Sequence, residues 1–251
     1  MSSYATVLQI YAAGLVFARV GALVMLIPGL GDAAVPPRIR LSLALLFSMA
    51  LSPVVAGAIT VVPSTVGAMA GDVIHELMVG LIIGSILRLF LTALATAGEV
   101  ISIQTTLSFA QTANPALGQQ GSTVASFLGL VGVTLIMTTD LHHLFIASIV
   151  RSYSLFPFGH KVMVGDATSL AVKTMSDSFA LGIQLAAPII VFSLVFNIAT
   201  GLIGRVMPQF QVFFVATPLS VMLGMSILAL SLGLIGMIWV SRYRELLAIF
   251  T

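Results

Sequence analysis

Long apolar stretches alternate along this chain with short connectors that are rich in proline and glycine. A helix that spans a membrane needs about 20 predominantly apolar residues, and about six stretches reach that length. Strands are not predicted, because the stretches are too long and lack strict alternation of apolar and polar residues. The predicted helices cover Tyr4–Ile27, Leu41–Val62, Val66–Ala97, Thr123–Ser148, Phe179–Gly204 and Val212–Val240.

One connector is unlike an ordinary surface loop. Val100–Thr139 contains no charged residue, yet its middle, which begins at Phe109 and reads FAQTANPALGQQGS, is polar and rich in helix-breaking residues. Irregular backbone at membrane depth survives only where protein or water satisfies its N–H and C=O groups. This segment is therefore predicted to line a cavity or to close a pore.

The composition agrees with an all-α, polytopic membrane protein. Hydrophobic residues make up 59% of the chain and charged residues 7%, whereas a soluble domain usually has about 25% charged residues. No linker divides the 251 residues, so a single domain over residues 1–251 is predicted. The net charge of +2 is small and scattered and does not indicate nucleic-acid binding, and the absence of cysteine excludes disulfides and thiolate metal sites. The first apolar segment lacks the features of a cleaved signal and is expected to be retained.

Small residues at a spacing of four indicate where helices approach each other closely. Gly67 with Gly71, and Gly80 with Gly84, have this spacing in the third predicted helix. Such pairs let two helix backbones come into direct contact. We therefore expect these four glycines to lie at helix packing interfaces.

Several polar and charged residues fall inside or beside the apolar stretches. A charged side chain at the bilayer centre costs at least roughly 2.5 kcal/mol, so such groups usually face protein or water. The helices that carry them are therefore expected to pack mainly on other protein. The residues predicted to be buried are Arg19, Asp72, Glu76, Arg88, Glu99, Asn197 and Arg205.

Asp72 and Glu76 permit two interpretations. They are four residues apart, on one face of a helix beside His75, and such a cluster could carry protons in a proton-coupled secondary transporter. Alternatively, Asp72 is close to the first turns of its helix, where negative charge is favourable. The structural interpretation is preferred, because no matched acidic partner and no inverted repeat occur elsewhere in the chain.

No residue pattern indicates an enzyme, a metal site or a cofactor site. His142 and His143 follow Asp140, but adjacent helical residues point about 100° apart, so one helix does not easily present both to one ion. A role at a helix end or an interface is preferred for this pair. The chain also lacks a nucleophile elbow, a cysteine and a phosphate-binding loop.

Five sequence blocks follow one another in a fixed order along nearly the whole chain. They read FARVGALVMLIPGLGDAAVPPRIRLSLALLFSMALSP from Phe17, ELMVGLIIGSILRL from Glu76, GEVISIQTTLSFAQTANP from Gly98, GLVGVTLIMTTDLHHLFIASIVRSYSLFPFG from Gly129 and RVMPQFQVFFVATPLSVMLG from Arg205. Any one block alone would be weak, but together they are specific, and they resemble the FliR family of flagellar biosynthetic membrane proteins, whose injectisome counterparts share the fold.

The sequence departs from the family pattern at a few positions. The family often has Gly where Thr106 stands, Asp where Asn114 precedes Pro115, and Asn where Gln211 stands. The change at position 114 puts in doubt any role that rests on a carboxylate there. The order of the blocks is unaffected.

The resemblance implies a gate subunit of a type III protein export apparatus and not an enzyme. Such proteins assemble with FliP-type and FliQ-type subunits into a helical, pore-forming core near FlhA-type and FlhB-type components. The expected location is the bacterial inner membrane at the flagellar basal body, with lipid or detergent around the apolar faces. Unfolded flagellar polypeptides pass through the pore.

The resemblance also implies that the polar segment is a plug in the closed channel. A loop that blocks ions yet moves for any polypeptide should avoid fixed charge, which would attract ions or bind one class of substrate. Apolar side chains can fill the lumen, amides can satisfy backbone groups, and glycines allow displacement. The predicted plug residues are Phe109, Gln111, Asn114, Pro115, Leu117, Gly118, Gln119, Gln120 and Gly121.

Overall fold

A computed structural model describes residues 7–32, 35–55, 59, 62–108, 122–159, 164–207, 209 and 211–248. Within these ranges the chain forms seven long α-helices and no strand, which confirms the all-α prediction. The helices are α1 (Val7–Leu26), α2 (Pro37–Val55), α3 (Val66–Gln104), α4 (Thr123–Thr138), α5 (Leu141–Leu155), α6 (Val164–Val206) and α7 (Val212–Leu247).

The polytopic membrane class is also confirmed. Among the described residues, five helices are long and apolar enough to cross a membrane, or six if the bent pair α4 and α5 counts as one span. Helix α2 begins at Pro37, before the predicted Leu41. Proline suits the first position of a helix, because its missing N–H would have no helical partner there and its φ is already helical.

The prediction of one helix over Thr123–Ser148 is wrong. Helices α4 and α5 replace it, and they are bent by 75° relative to each other. Asp140 lies between them with φ 59° and ψ 17°, and a residue in this left-handed region cannot continue a right-handed helix. Hydropathy did not reveal the break, because apolar residues continue on both sides of it.

The predicted start of the fifth helix at Phe179 is also wrong, since α6 begins at Val164. Its first turns contain polar and charged residues, including Asp166 and Lys173, and these lower the hydropathy of a helical segment without ending it. Asp166 lies in the first turn of α6, where the positive end of the helix dipole favours a carboxylate.

Contacts group the chain into two compact units. The first comprises residues 1–90, 136–175 and 243–251; in it α1 packs against α2, and Val16, Val20 and Ile83 are fully buried. The second comprises residues 91–135 and 176–242, and its fully buried side chains include those of Ile101, Leu128 and Ile189. The prediction of a single domain over residues 1–251 stays a prediction.

Candidate functional site

The segment predicted to be a plug lies outside the described residues, but both of its flanks are described. We call residues 98–108 and 122–125 the loop base; all of them belong to the second unit. The plug prediction covers residues of which the structure gives no account: Phe109, Gln111, Asn114, Pro115, Leu117, Gly118, Gln119, Gln120 and Gly121. Their roles stay predictions.

Hydrogen bonds from Ser122 to Glu99 and to Gly98 tie the two flanks together at the loop base. Glu99 Oε1 accepts a hydrogen bond from the backbone N–H of Ser122 at 2.8 Å. Ser122 Oγ donates to the carbonyl oxygen of Gly98 at 3.3 Å and accepts from the N–H of Ala125 at 3.0 Å. Ser122 therefore caps the N-terminus of α4 while it also binds the C-terminal part of α3.

Gly98 and Ala125 bring the backbones of α3 and α4 into direct contact. A Cβ atom on Gly98 would collide with the backbone of Ala125 and would lie 2.9 Å from the carbonyl carbon of Val124. Only glycine fits at such a close approach, because neither backbone can move aside without disturbing its helix. The contact holds Glu99 beside the first turn of α4.

The end of α3 is held by two further helices of the second unit. Ser193 of α6 donates a hydrogen bond from its Oγ to Gln104 Oε1 at 2.8 Å. The buried Thr105 side chain touches Gly224 of α7 so closely that a Cβ atom there would collide with it. Thr106 follows with φ 60°, a left-handed conformation that is strained for a β-branched residue. The helix therefore stops at a fixed point, immediately before the predicted plug.

A small cavity of about 210 Å³ opens beside Thr106. It is smaller than the roughly 300–1,000 Å³ typical of small-molecule sites, and it therefore gives no reason to assign a substrate pocket. Its lining residues are Ile103, Thr106, Ser108, Phe213 and Thr217.

The first unit contains a fully buried ion pair between Arg19 of α1 and Glu76 of α3. Arg19 Nε lies 2.6 Å from Glu76 Oε2, and Nη2 lies 3.0 Å from Oε1. The side chains of Arg19 and Glu76 are 0% and 1% exposed. This two-point geometry matches the planar guanidinium to the carboxylate and is stronger than a single contact.

Backbone oxygens near the C-terminus of α5 accept the remaining hydrogen bonds of Arg19. Nη1 donates to the carbonyl oxygen of Ser152 at 3.0 Å, with Ser152 Oγ at 3.4 Å, and Nη2 donates to the carbonyl oxygen of Phe156 at 2.8 Å. The guanidinium also lies over the ring of Tyr153, 4.1 Å from its centroid, a favourable cation–π geometry. All five N–H groups of the guanidinium thus have acceptors, and Arg19 joins α1, α3 and α5.

Asp72 and Glu76, which the sequence places on one helix face, have separate partners. Asp72 is half-buried, and its Oδ2 accepts a hydrogen bond from the hydroxyl of Tyr11 at 2.6 Å. His75 Nδ1 lies 3.2 Å from Glu76 Oε1. Glu76 therefore forms a complete ion pair with Arg19 rather than a site shared with a second carboxylate.

The four predicted packing glycines fall into two groups. A Cβ atom on Gly80 would lie 2.5 Å from the carbonyl oxygen of Arg19, and one on Gly84 would lie 2.8 Å from Leu26 Cβ. Gly67 and Gly71 have no described heavy atom within 4 Å of such a Cβ. Gly80 and Gly84 thus lie where α3 packs on α1. A role of Gly67 and Gly71 in helix packing stays a prediction.

The remaining residues predicted to be buried are more accessible in the single chain. Glu99 is half-buried, and Asn197 and Arg205 are exposed. Arg88 is 45% exposed, with Nη2 3.6 Å from Asp32 Oδ1. The chain by itself does not bury Arg88, Asn197 or Arg205, because their helix faces have few neighbours within it. Burial of these three residues in an assembly stays a prediction.

Asp140, His142 and His143 lie together at the bend before α5. Their potential ligand atoms are within 4.8 Å of one another, so the adjacent histidines point less far apart than the sequence argument assumed. Asp140 and His143 are largely exposed, however, and His143 Nδ1 lies 3.5 Å from Asp140 Oδ1 across the first helical turn. This arrangement fits the preferred role at a helix end.

Sequence reasoning missed three parts of these sites. Ser122 could have been found, because serine directly before an apolar helix is a common N-cap. The acceptors for Arg19 at Ser152 and Phe156 could not, because a backbone carbonyl has no residue signature. The close approach of Gly98 to Ala125 depends on how two helices pack, and residue spacing along one helix does not reveal that.

The sequence of the chain matches a known protein family. Residues 10–246, from α1 to the end of α7, match the family described as bacterial export proteins, family 1. The chain is 62% identical over 251 residues to the flagellar biosynthetic protein FliR of Caulobacter vibrioides, and the match covers 100% of both chains.

More distant relatives carry the same description. The FliR of Escherichia coli is 30% identical over 217 residues, which cover 86% of this chain and 82% of the relative. The FliR of Aquifex aeolicus is 30% identical over 235 residues, which cover 92% and 89%. The family match over residues 10–246 spans both the loop base and the Arg19 ion pair.

Proposed function

The chain belongs to the FliR family of flagellar biosynthetic export proteins, and from this premise we propose that it is a structural and gating subunit of the flagellar type III protein export channel. Its helices would form part of the pore, and residues 109–121 would form the plug of the closed channel. Its role would be structural rather than enzymatic. Relatives described as flagellar support a flagellar rather than an injectisome role.

The loop base is the observation that carries the gating proposal. An uncharged, polar segment between two apolar helices is joined at its ends by Glu99 and Ser122. The ends are thus fixed by contacts that use none of the side chains of residues 109–121. A segment with a fixed base and no formal charge suits a seal that must yield to polypeptides of many sequences.

The lengths of the helices support assembly with other subunits. Helix α6 has 43 residues, or about 64 Å at a rise of about 1.5 Å per residue, whereas the hydrocarbon core of a bilayer is about 30 Å thick. In α7 only 22% of the most apolar 18-residue stretch is buried within the chain. Apolar surface of this extent must be covered by lipid or by other helices, because its exposure to water is unfavourable.

The proposed partners follow from the family resemblance and from this uncovered surface. FliP-type and FliQ-type subunits would cover it within the export gate, and lipid or detergent would cover the remainder. FlhA-type and FlhB-type components would lie nearby, and unfolded flagellar polypeptides would pass through the pore. The proposed location is the bacterial inner membrane at the flagellar basal body.

Deletion of Thr112–Gln120 tests the gating proposal. Cells that express the complete assembly with this deletion should leak small ions while the subunits still co-purify, because the deletion leaves the described loop base intact. Permeability equal to that of wild-type cells, with normal assembly, would exclude a plug in this segment.

The alternative of a proton-coupled secondary transporter receives less support. Glu76 is fully buried with the guanidinium of Arg19 as its partner, and Asp72 is bonded separately to the hydroxyl of Tyr11, so the two carboxylates do not form one shared site. Replacement of Asp72 and Glu76 by their amides distinguishes the two functions. Loss of motility without loss of small-solute uptake would favour export.

A further inference from the structure

We propose that Asp140, His142 and His143 form a binding site for a divalent transition-metal ion such as Zn²⁺. The three residues lie at the bend where α4 ends and α5 begins, and their potential ligand atoms are within 4.8 Å of one another. Two imidazoles and one carboxylate are a ligand set that Zn²⁺ accepts, with a further position left for water. The site goes beyond the proposed function and does not depend on it.

The carboxylate of Asp140 is available as a ligand because it does not cap α5. An N-capping residue usually has extended backbone and accepts a hydrogen bond from an N–H of the first turn. Asp140 has φ 59° and makes no such bond. Instead its Oδ1 lies 3.5 Å from His143 Nδ1, which is about the separation of two ligand atoms around a tetrahedral ion with bonds of about 2.1 Å.

His142 supplies the second imidazole. Adjacent helical residues point about 100° apart, yet the ring centroids of His142 and His143 are only 4.1 Å apart. His142 Nδ1 is buried and has no hydrogen-bond partner among the described residues. Buried polar atoms usually have a partner, so the described part of the fold leaves some of the binding capacity of this ring unused.

The charges around the bend favour a transition metal over Mg²⁺ or Ca²⁺. Asp140 provides a full negative charge, but Arg244 lies close by, with Nη2 3.4 Å from the carbonyl oxygen of Thr139, and its charge opposes a bound cation. Mg²⁺ and Ca²⁺ bind through several oxygen ligands, of which this site offers one carboxylate. Transition-metal ions also bond strongly to imidazole nitrogen, so two histidines can offset the nearby guanidinium.

An ion can reach this site and would hold the bend in place. The side chains of Asp140 and His143 are 76% and 67% exposed, so both can rotate to bring their ligand atoms to bonding distance. The ion would then join a residue before α5 to two residues of its first turn. Because an ion that binds the folded state stabilises it, the midpoint temperature of unfolding should rise with Zn²⁺ concentration.

The test is isothermal titration calorimetry of Zn²⁺ into the untagged full-length protein in detergent, with one ion per chain expected. His142→Ala, His143→Ala and Asp140→Asn should each raise the dissociation constant at least about tenfold, since loss even of a residue behind the ligands typically costs about 10–100-fold. Asparagine tolerates the left-handed conformation as aspartate does, so Asp140→Asn keeps the bend. The matched control is Asp177→Asn, which removes an exposed carboxylate elsewhere and should bind as wild type does.

The visible absorption of bound Co²⁺ gives a second readout, because it reports the ligands directly. The wild-type spectrum should show nitrogen ligation that each histidine variant reduces, and excess Mg²⁺ should not displace the ion. Where alanine disturbs the fold, as judged by circular dichroism, glutamine at the same position replaces it. Absence of saturable binding overturns the proposal. Equal affinity in wild type and in any of the three variants also overturns it, and equal affinity in all of them indicates an adventitious ion only.

Discussion

Arg19 and Glu76 are separated by 57 positions in the sequence, yet they form a fully buried pair with Arg19 Nε 2.6 Å from Glu76 Oε2. The pair joins α1 to α3, and the carbonyl oxygens of Ser152 and Phe156 extend it to the end of α5. Both charges have left water completely, so each depends on the other for its stability within the folded unit.

Removal of one member of this pair should destabilise the fold far more than removal of both. Glu76→Ala should lower the free energy of unfolding in detergent by about 3–5 kcal/mol, because it leaves a buried guanidinium without its counter-charge. The double variant Arg19→Met with Glu76→Leu should lose less than Glu76→Ala, because no charge is left buried. Chemical denaturation of the purified protein measures both effects.

Arg88→Gln is the matched control for this measurement, since Arg88 is 45% exposed and 3.6 Å from Asp32. Exposed ion pairs contribute about 0–1 kcal/mol, so the control should stay close to wild type. A double variant as unstable as Glu76→Ala would contradict the explanation based on an uncompensated charge.

Gly80→Ala should destabilise the protein, whereas Gly71→Ala should not. An added Cβ at position 80 would press on the carbonyl oxygen of Arg19 at 2.5 Å, while position 71 has no described atom within 4 Å. Overpacking typically costs about 1–3 kcal/mol, but alanine in an open helical position gains about 1 kcal/mol over glycine. The midpoint temperature of thermal unfolding in detergent should therefore fall for Gly80→Ala and rise for Gly71→Ala. Equal shifts would show that α3 and α1 can separate without cost at Gly80.

Thr106→Gly should stabilise the loop base. Thr106 has φ 60°, and the left-handed conformation costs a residue with a side chain about 1–2 kcal/mol. Glycine adopts it without that cost, although greater freedom in the unfolded chain offsets part of the gain. The free energy of unfolding should rise by roughly 1 kcal/mol or less.

Thr105→Gly is the control for Thr106→Gly, since the two residues are adjacent and chemically identical. Thr105 is fully buried and its hydroxyl donates to the carbonyl oxygen of Ile101 at 2.8 Å, so glycine there should be destabilising. If both variants lose stability, strain at Thr106 is not the dominant effect.

The sequence predicted the helices well where hydropathy alone defines them. Helix α3 begins at Val66 and α7 at Val212, as the apolar pattern indicates. The break at Asp140 escaped prediction because the left-handed conformation of one residue makes it, and the hydropathy of the flanking residues does not report backbone conformation. The early start of α6 was not predicted because its first turns are polar. Hydropathy measures how well a segment suits lipid, not whether the segment is helical.

The candidate sites were predicted as residue types but not as contacts. The apolar context of Arg19 and Glu76 indicated that each needs a partner, and the structure shows that they are partners of each other. Spacing along α3 indicated close packing at Gly80 and at Gly71 alike. Only the position of α1 distinguishes them, and that position is set by contacts between residues far apart in the sequence.

The shared contacts of Arg19 also constrain how the protein is made. Arg19 lies in α1, its carboxylate partner follows in α3, and its last acceptor along the chain is the carbonyl oxygen of Phe156. Until those segments are synthesised, α1 carries an unpaired cation into the insertion machinery at a cost of about 2.5–3.5 kcal/mol. Stable integration of α1 therefore depends on residues that are translated much later. Biogenesis of the first unit is complete only after α5 has emerged.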